Sequence, residues 1–566
     1  MAMTDRWDAV IVGGGHNGLV AGFYLARAGR KVLILERRAM VGGAAITEEF
    51  HPGFRNSAAS YVVSLLRPEV IEEMDLKRHG FETIRMGGSF GVFGDGRSLL
   101  LTGDETADRA EVARFSNRDW QAMGAFGAML RKAGDIVRAE MLNPPPRLAG
   151  GGIADMIGAF RLGRGLKRLG PEERHRFLQL FATPVGDLLD RWFDSDAVKT
   201  MYAATATAGS MVGLRDPGSA INLLHLGIGE VEGERGAWAL ARGGMGAITQ
   251  AMAAAFREAG GTIRTGAPVA RILVEQGRAV GVRLAAEAKP AGANEAANAG
   301  AAGAAAGGSG AAGPGATGET IRARVVLANT DPKRTFLTLL GEGDLPADFA
   351  ADVRGYRMGS GSFRINIALS GLPEFASRPG AGVGPQHRAF IRMVSSLGAY
   401  DAAFEAAKRG ELPDDPIIDA LIPTALDPGL APPGGHILSI LAQHYPFQLA
   451  GGRRWTEADR ARAAEGIVAA LERYIPKIRN QILGWRAYSP QDLEDVFGLT
   501  GGDVYHGRLD PDQLFSMRPH PKAARYATPV KGLYLCGAGA HPGGGVSGAP
   551  GRNAAMAVLG SRHSQI

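Results

Sequence analysis

The run Gly13-Gly-Gly-His-Asn-Gly18 constrains the fold more than any other stretch of this chain. A short β-branched run, Ala9 to Val12, leads into it. A helical pattern of Leu19, Val20, Phe23, Leu25 and Ala26 leads out and stops at Gly29. A second apolar strand then begins at Lys31 and ends in Glu36. Strand, glycine turn, helix and strand within about 30 residues form a βαβ unit with fully buried parallel strands. In that setting the G-x-G-x-x-G spacing is a dinucleotide-binding fingerprint. Gly13 permits the tight turn, Gly15 lets the backbone approach a pyrophosphate, and Gly18 lets the helix pack closely on the strand. Gly14, His16 and Asn17 complete the turn, where a helix N-terminus offers free N–H groups and a partial positive charge to phosphate. Glu36, 18 residues past Gly18, is placed to accept hydrogen bonds from a ribose. The unit alone does not choose between NAD and FAD.

The rest of the chain bounds the chemistry. One cysteine among 566 residues, Cys536, excludes an internal disulphide, a CxxC redox pair and thiolate metal or iron–sulphur sites. It reads as a small core residue at the end of a strand. A net charge of +6 over this length is too dilute to argue for nucleic acid. No run of about 18 apolar residues is present, and a structural strand starts almost at once, so the expectation is a cytoplasmic protein without an export signal. Gly87-Gly-Ser89-Phe-Gly91 matches a nucleophile elbow by letters but lies between short strands, and no two histidines stand three or four apart as in a helical metal site. No metal site is expected.

Residues 115–210 read as mainly helical. A helix from Met245 to Glu258 leads into strands at 269–274, 279–284 and 321–327, whose alternation and glycine punctuation predict an antiparallel meander. Between the last two, positions 286–318 hold 15 Ala and 9 Gly among 33 residues. With no large apolar side chain to offset its ordering entropy, this segment is expected to be a disordered insertion at a hairpin tip. Strands and helices alternate from about 360 to 500. A strand ending at Cys536, a glycine loop and a helix from about Pro550 close the chain, with Ser547 as the expected N-cap.

Beyond the first motif, Glu36-Arg-Arg-Ala-Met-Val-Gly-Gly-Ala-Ala45 adds a glycine pair near the same phosphates. Together with Ala241-Arg-Gly-Gly-Met-Gly246, Ala267-Pro-Val-Ala-Arg-Ile272, Ala328-Asn-Thr-Asp-Pro-Lys-Arg-Thr-Phe336 and Leu533-Tyr-Leu-Cys-Gly-Ala-Gly-Ala-His-Pro-Gly-Gly-Gly-Val-Ser-Gly548, it resembles the phytoene desaturase-like superfamily of FAD oxidoreductases. The similarity covers most of the chain. It is closest to the branch that includes pyridine nucleotide-disulphide oxidoreductase domain-containing protein 2 and its bacterial relatives. The resemblance implies FAD. It places Arg37, Arg38, Gly42, Gly43 and Ala44 at the pyrophosphate and the Val269 backbone at the adenine. Asn329, Gly537, Ala538, Gly545, Val546 and Ser547 would complete the cofactor set. Many members carry Arg where Ala44 stands, which sets this chain apart from ordinary amine oxidases.

The implied fold is α/β: a Rossmann-like FAD-binding domain of parallel sheet plus meander, assembled from 1–66, 240–342 and 522–566. An inserted α+β substrate domain would comprise 67–239, largely helical, and 343–521. The implied activity is hydride removal from, or isomerisation of, a hydrophobic isoprenoid- or carotenoid-like substrate. With one cysteine a disulphide reductase mechanism fails, so oxygen or a quinone is the expected electron acceptor. His541, beside the flavin-proximal glycines, is the candidate proton-transfer residue. The alternatives are an amine or amino-acid oxidase and a non-catalytic, flavin-containing regulatory protein. Residues 156–169 mix Met156, Ile157, Phe160, Leu166 and Leu169 with Arg161, Arg164, Lys167 and Arg168. This mixture suggests a surface helix touching anionic lipid, weakened by Gly158, Gly163 and Gly165.

Overall fold

The computed structural model describes residues 6–147, 151–286, 318–380 and 382–560. Apart from Ala286 and Gly318, the segment expected to be a disordered insertion lies outside the described residues. Two seven-stranded sheets organise the rest. In the first, Thr262–Arg264, Val32–Leu35, Trp7–Val12, Thr320–Ala328 and Leu533–Leu535 run parallel in that spatial order. The N-terminal end of Thr320–Ala328 also pairs antiparallel with Arg278–Leu284, which pairs with Val269–Glu275. One long strand therefore joins the parallel sheet to the expected meander.

The helices His16–Arg27, Met245–Glu258 and Ala549–Leu559 share an apolar core with these strands. Contact between the first helix and its strand is tight at Gly18, where a Cβ would stand 2.3 Å from the Gly13 carbonyl oxygen. Any side chain there would force helix and strand apart, as the fingerprint requires.

The second sheet runs Ile482–Tyr488, Phe363–Leu369, His436–Gln443, Ile417–Leu421, Phe390–Val394, Ser89–Phe93 and Ser98–Leu101. Its neighbours are antiparallel except Phe390–Val394 with Ser89–Phe93. Ser89 thus begins a strand, and no nucleophile elbow forms. Strand alternation divides this sheet into two different faces. Ile365, Ile367, Ile391, Met393, Ile418, Ala420, Leu438 and Ile440 fill one core with Ala463, Ile467, Val468 and Leu471 of the helix Glu457–Glu472. The opposite face carries Arg364, Asn366, Arg392, Asp419, Ser439 and Gln443, all buried. The helix Asp196–Thr207 closes part of that face: Gln443 Nε2 donates to the Ala204 carbonyl at 3.1 Å and Thr207 Oγ1 to Gln443 Oε1 at 2.6 Å.

The basic, apolar segment is helical over Ile153–Lys167 and runs unbroken through its glycines. Cys536 is fully buried, and burial drives its thiol pKa far up, away from thiolate chemistry.

Candidate active site

A cavity of about 450 Å³ runs from the glycine turn to the polar face of the second sheet. At the first end the wall is mostly backbone: Gly13, Gly15, His16, Asn17, Gly42, Gly43 and Ala44. The glycine pair is tied to the turn by the Gly42 N–H, which donates to the Gly14 carbonyl at 2.9 Å. A Cβ on Gly43, already at a φ of 58°, would lie 3.3 Å from the Gly15 Cα, so both stretches must stay bare to leave room between them. Glu36 accepts from the Gly14 N–H at 2.8 Å and the Arg38 N–H at 2.9 Å. Its carboxylate therefore fixes the turn and still has lone pairs for a ribose. Asn329 Nδ2 donates to the Gly13 carbonyl at 3.2 Å, bracing the turn from the other side.

Three guanidinium groups, Arg37, Arg38 and Arg334, join this end. Burial, with Arg334 close by, holds the Arg37 pKa below its ordinary value. Arg38 Nη1 and Arg334 Nε are buried donors without a protein partner. Unpaired cationic donors beside a helix N-terminus and a bare glycine cradle fit a pyrophosphate. Val269 lies on the same wall.

The other end is built from side chains. Tyr61, Trp238 and Phe390 form an aromatic cluster, with ring centroids 6.3 Å (Tyr61–Phe390) and 5.6 Å (Trp238–Phe390) apart. Arg364 stacks on Tyr61 at 4.4 Å and Arg392 on Phe390 at 4.7 Å. His225 faces Tyr505, whose hydroxyl donates to the Ala208 carbonyl at 3.1 Å. Desolvation lowers the pKa of His225 to about 4, and desolvation with His506 nearby does the same for His16. Both rings are neutral at pH 7. Burial instead raises the pKa of Asp419, on the same cavity wall, to about 6.

Comparison with known proteins identifies the family. The sequence model of the family described as flavin containing amine oxidoreductase matches residues 18–293. The rat protein named pyridine nucleotide-disulfide oxidoreductase domain-containing protein 2 is 36% identical, over 98% of this chain and 94% of its own. The chain belongs to that family. A limonene dehydrogenase component from Castellaniella defragrans is 27% identical over 99% of this chain and 95% of its own. The lycopene-forming phytoene desaturase of Pseudescherichia vulneris is 24% identical over 95% and 96%. Among solved structures, putrescine oxidase shares the fold with a TM-score of 0.57 at 14% identity, covering 98% of both chains. As a member of this family the protein is an FAD-dependent oxidoreductase.

Most of the cofactor residues expected from the sequence line the cavity: Gly13, Gly15, His16, Asn17, Glu36, Arg37, Arg38, Gly42, Gly43, Ala44, Val269, Asn329, Ala538, Gly545 and Val546. Gly14, Gly18, Gly537 and Ser547 stand behind it. A Cβ on Gly537 would lie 2.8 Å from the Asn329 carbonyl oxygen, so its bareness serves packing. Ser547 is not the N-cap. Gly548, with φ at 74°, takes that place, and Ser547 Oγ accepts from the Ala549 N–H at 3.3 Å.

The expectation for His541 is corrected more sharply. Its side chain leaves the cavity, Nε2 lying 3.1 Å from the Glu140 carbonyl and the ring packing edge-on to Phe515 at 5.4 Å. Burial lowers its pKa to about 4. It ties the loop to the helix Asn117–Met141 and is not among the residues that line the cavity. Sequence reading passed over Arg334, Tyr61, Trp238, Arg364, Arg392, Asp419 and Tyr505. Arg334 lies inside one of the motifs that carry the family resemblance. For Arg364, Arg392 and Asp419 the available sign was a lone charged residue inside a largely apolar strand.

Proposed function

We propose that this flavoenzyme dehydrogenates an apolar, unsaturated small molecule of the isoprenoid class. Bound FAD would supply the hydride acceptor. The observation that carries the reading is the single cavity that joins the pyrophosphate cradle to an aromatic chamber between the sheets. Tyr61, Trp238 and Phe390 would hold the apolar body and exclude water, while Arg37, Arg38, Arg334 and the glycine turn would hold the cofactor. Relatives named limonene dehydrogenase and phytoene desaturase support the substrate class. Arg364 and Arg392 in the chamber wall count against a small cationic amine. The test is anaerobic titration of the yellow protein with limonene, phytoene, an isoprenoid acid such as geranic acid, and putrescine. Bleaching by at least one of the isoprenoids is expected. Bleaching by putrescine alone would overturn the reading. Re-oxidation by a quinone or by oxygen then identifies the acceptor.

One helix supports access to such a substrate from a lipid surface. On Ile153–Lys167, the residues Ile153, Met156, Ile157 and Phe160 share a face by their spacing, and each is more than half exposed. Arg164, Lys167 and Arg168, exposed at the end of that helix, complement an anionic bilayer. No helix among the described residues is long and apolar enough to cross a membrane, so contact would be peripheral. Co-sedimentation with phosphatidylglycerol-containing vesicles but not with pure phosphatidylcholine, lost in Phe160→Asp, is the expected result. Equal behaviour of wild type and variant would overturn it.

A further inference from the structure

The polar face of the second sheet carries charge that the cofactor end does not use. Hydrogen-bonded register aligns one row across it, running Arg392, Asp419, Leu441 and Arg364 on four adjacent strands. All four side chains line the cavity. Arg364 is well satisfied. Its guanidinium donates to the Ile440 carbonyl at 2.6 Å and to Ser439 Oγ at 3.0 Å. Arg392 is different. It is 6% exposed, and it donates only to two hydroxyls, Thr205 Oγ1 at 3.0 Å and Ser89 Oγ at 3.4 Å, while Nε has no partner. Asp419 is 1% exposed, accepts from Gln443 Nε2 at 2.7 Å on Oδ2, and leaves Oδ1 without a partner.

A buried cationic donor and a buried anionic acceptor, side by side and each incompletely bonded, are costly to keep in an empty wall. A ligand that presents an acceptor to one and a donor to the other removes both costs. A guanidinium lying over the Phe390 ring, 4.7 Å from its centroid, with two hydroxyls on its Nη atoms keeps Nε free for a carboxylate oxygen. We propose that the substrate is an apolar molecule whose polar end pairs a carboxylate, held by Arg392, with an adjacent hydroxyl or ammonium donating to Asp419. This inference rests on the apolar-substrate reading above and narrows it: an unfunctionalised hydrocarbon would leave both groups unpaired.

The experiment is calorimetric titration of the FAD-loaded protein with five twelve-carbon probes: dodecanoate, 2-hydroxydodecanoate, 2-aminododecanoate, dodecan-1-ol and dodecan-1-amine. Dodecanoate should bind about 10-fold or more tightly than the alcohol or the amine, the scale of a charge-assisted hydrogen bond. At least one 2-substituted acid should bind more tightly still. Arg392→Gln should erase the preference for acids. Arg392→Lys, which retains charge and most of the packing, should reduce it only in part. Asp419→Ala should erase the advantage of the 2-substituted acids while the plain acid still exceeds the alcohol. Flavin absorbance reports that each variant remains folded and loaded. Equal binding of acid and alcohol by wild type, tighter binding of the amine, or an acid preference that survives Arg392→Gln would overturn the Arg392 assignment. Equal binding of all three acids would overturn the part given to Asp419. If none of the five binds, the apolar-substrate reading fails, and this proposal fails with it.

Discussion

The two sheets meet a ligand in opposite ways. In the parallel sheet, successive residues of Val32–Leu35 and of the last four positions of Trp7–Val12 are all buried, so neither face is free. Ligand chemistry is confined to the strand ends, where backbone N–H groups and bare glycines form the wall. The second sheet has one face sealed by the helix Glu457–Glu472, and its other face offers side chains from the middle of its strands. On the proposed reading, one region recognises a ligand common to a large family through backbone, which varies little, and the other a particular ligand through side chains that a single substitution can change. Recognition of cofactor and of substrate would then be divided between the two sheets.

Neighbouring residues of one strand give the strongest way to break this picture. Ile391, pointing into the sealed core, is fully buried. Ile391→Ala should cost about 2–5 kcal/mol of stability through lost burial and a residual cavity. It should leave flavin content and the acid-over-alcohol preference unchanged. Arg392→Gln should instead erase the preference while flavin stays bound. Denaturant melts paired with calorimetry decide the matter, and a loss of ligand preference in Ile391→Ala would show that the two faces are coupled.

At the backbone-built end the decisive side chain is Glu36. Glu36→Ala removes a charged acceptor and leaves the Gly14 and Arg38 N–H groups without it. FAD affinity should fall by about 1.5–3 kcal/mol. Absorbance after gel filtration measures the retained flavin. Full retention would mean that the glycine turn holds its shape without the carboxylate.

The fingerprint was legible because backbone recognition requires glycine at fixed spacing, and that spacing lies within one continuous stretch. The same reasoning covered the meander and the helix Met245–Glu258. The chamber was illegible for the opposite reason. Arg364, Arg392 and Asp419 stand in three different strands, each the only charged residue in its strand, and only the pairing register brings them into one row. Proximity in sequence also misled. His541 is four residues from Gly545 on the cavity wall, yet its ring turns to Glu140 on a distant helix. Ser547 offers a capping hydroxyl, but the backbone reaches positive φ one residue later, at Gly548.

Asp419 gives a subtler test of the side-chain end. Its pKa is raised to about 6, chiefly by burial, so the folded protein holds a proton that the unfolded chain releases near pH 4. This group's contribution therefore falls as pH rises from about 4 to 6 and stays unfavourable above. Asp419→Asn has no such titration. Relative to wild type it should gain stability across that window, on the order of 3 kcal/mol by pH 7. Melting both proteins between pH 4 and 8 checks the sign. A difference that is flat with pH would mean that the carboxylate is already compensated in the free protein.

The smallest effect is expected at the join between the parallel strands and the meander. Arg278–Leu284 and Thr320–Ala328 are already in register close to the Ala/Gly segment: Val282 opposes Ile321, Arg283 opposes Thr320, and the Leu284 N–H donates to the Glu319 carbonyl at 2.9 Å. The Ala285 N–H donates to the Pro268 carbonyl at 2.8 Å, which anchors the outgoing chain as well. Replacing residues 287–317 with a four-residue glycine-rich turn leaves all of these bonds in place. Shortening the connection between two paired strands lowers the entropic cost of closing it by about 0.6 kcal/mol for each halving of length, so strain in the new turn is opposed by a gain of similar size. Flavin content and melting temperature should change little. Val269 and Asn329 sit on the cavity wall at strands that flank this join. A large fall in FAD retention would therefore show that the backbone-built end depends on the segment, and its independence from side chains elsewhere would have to be given up.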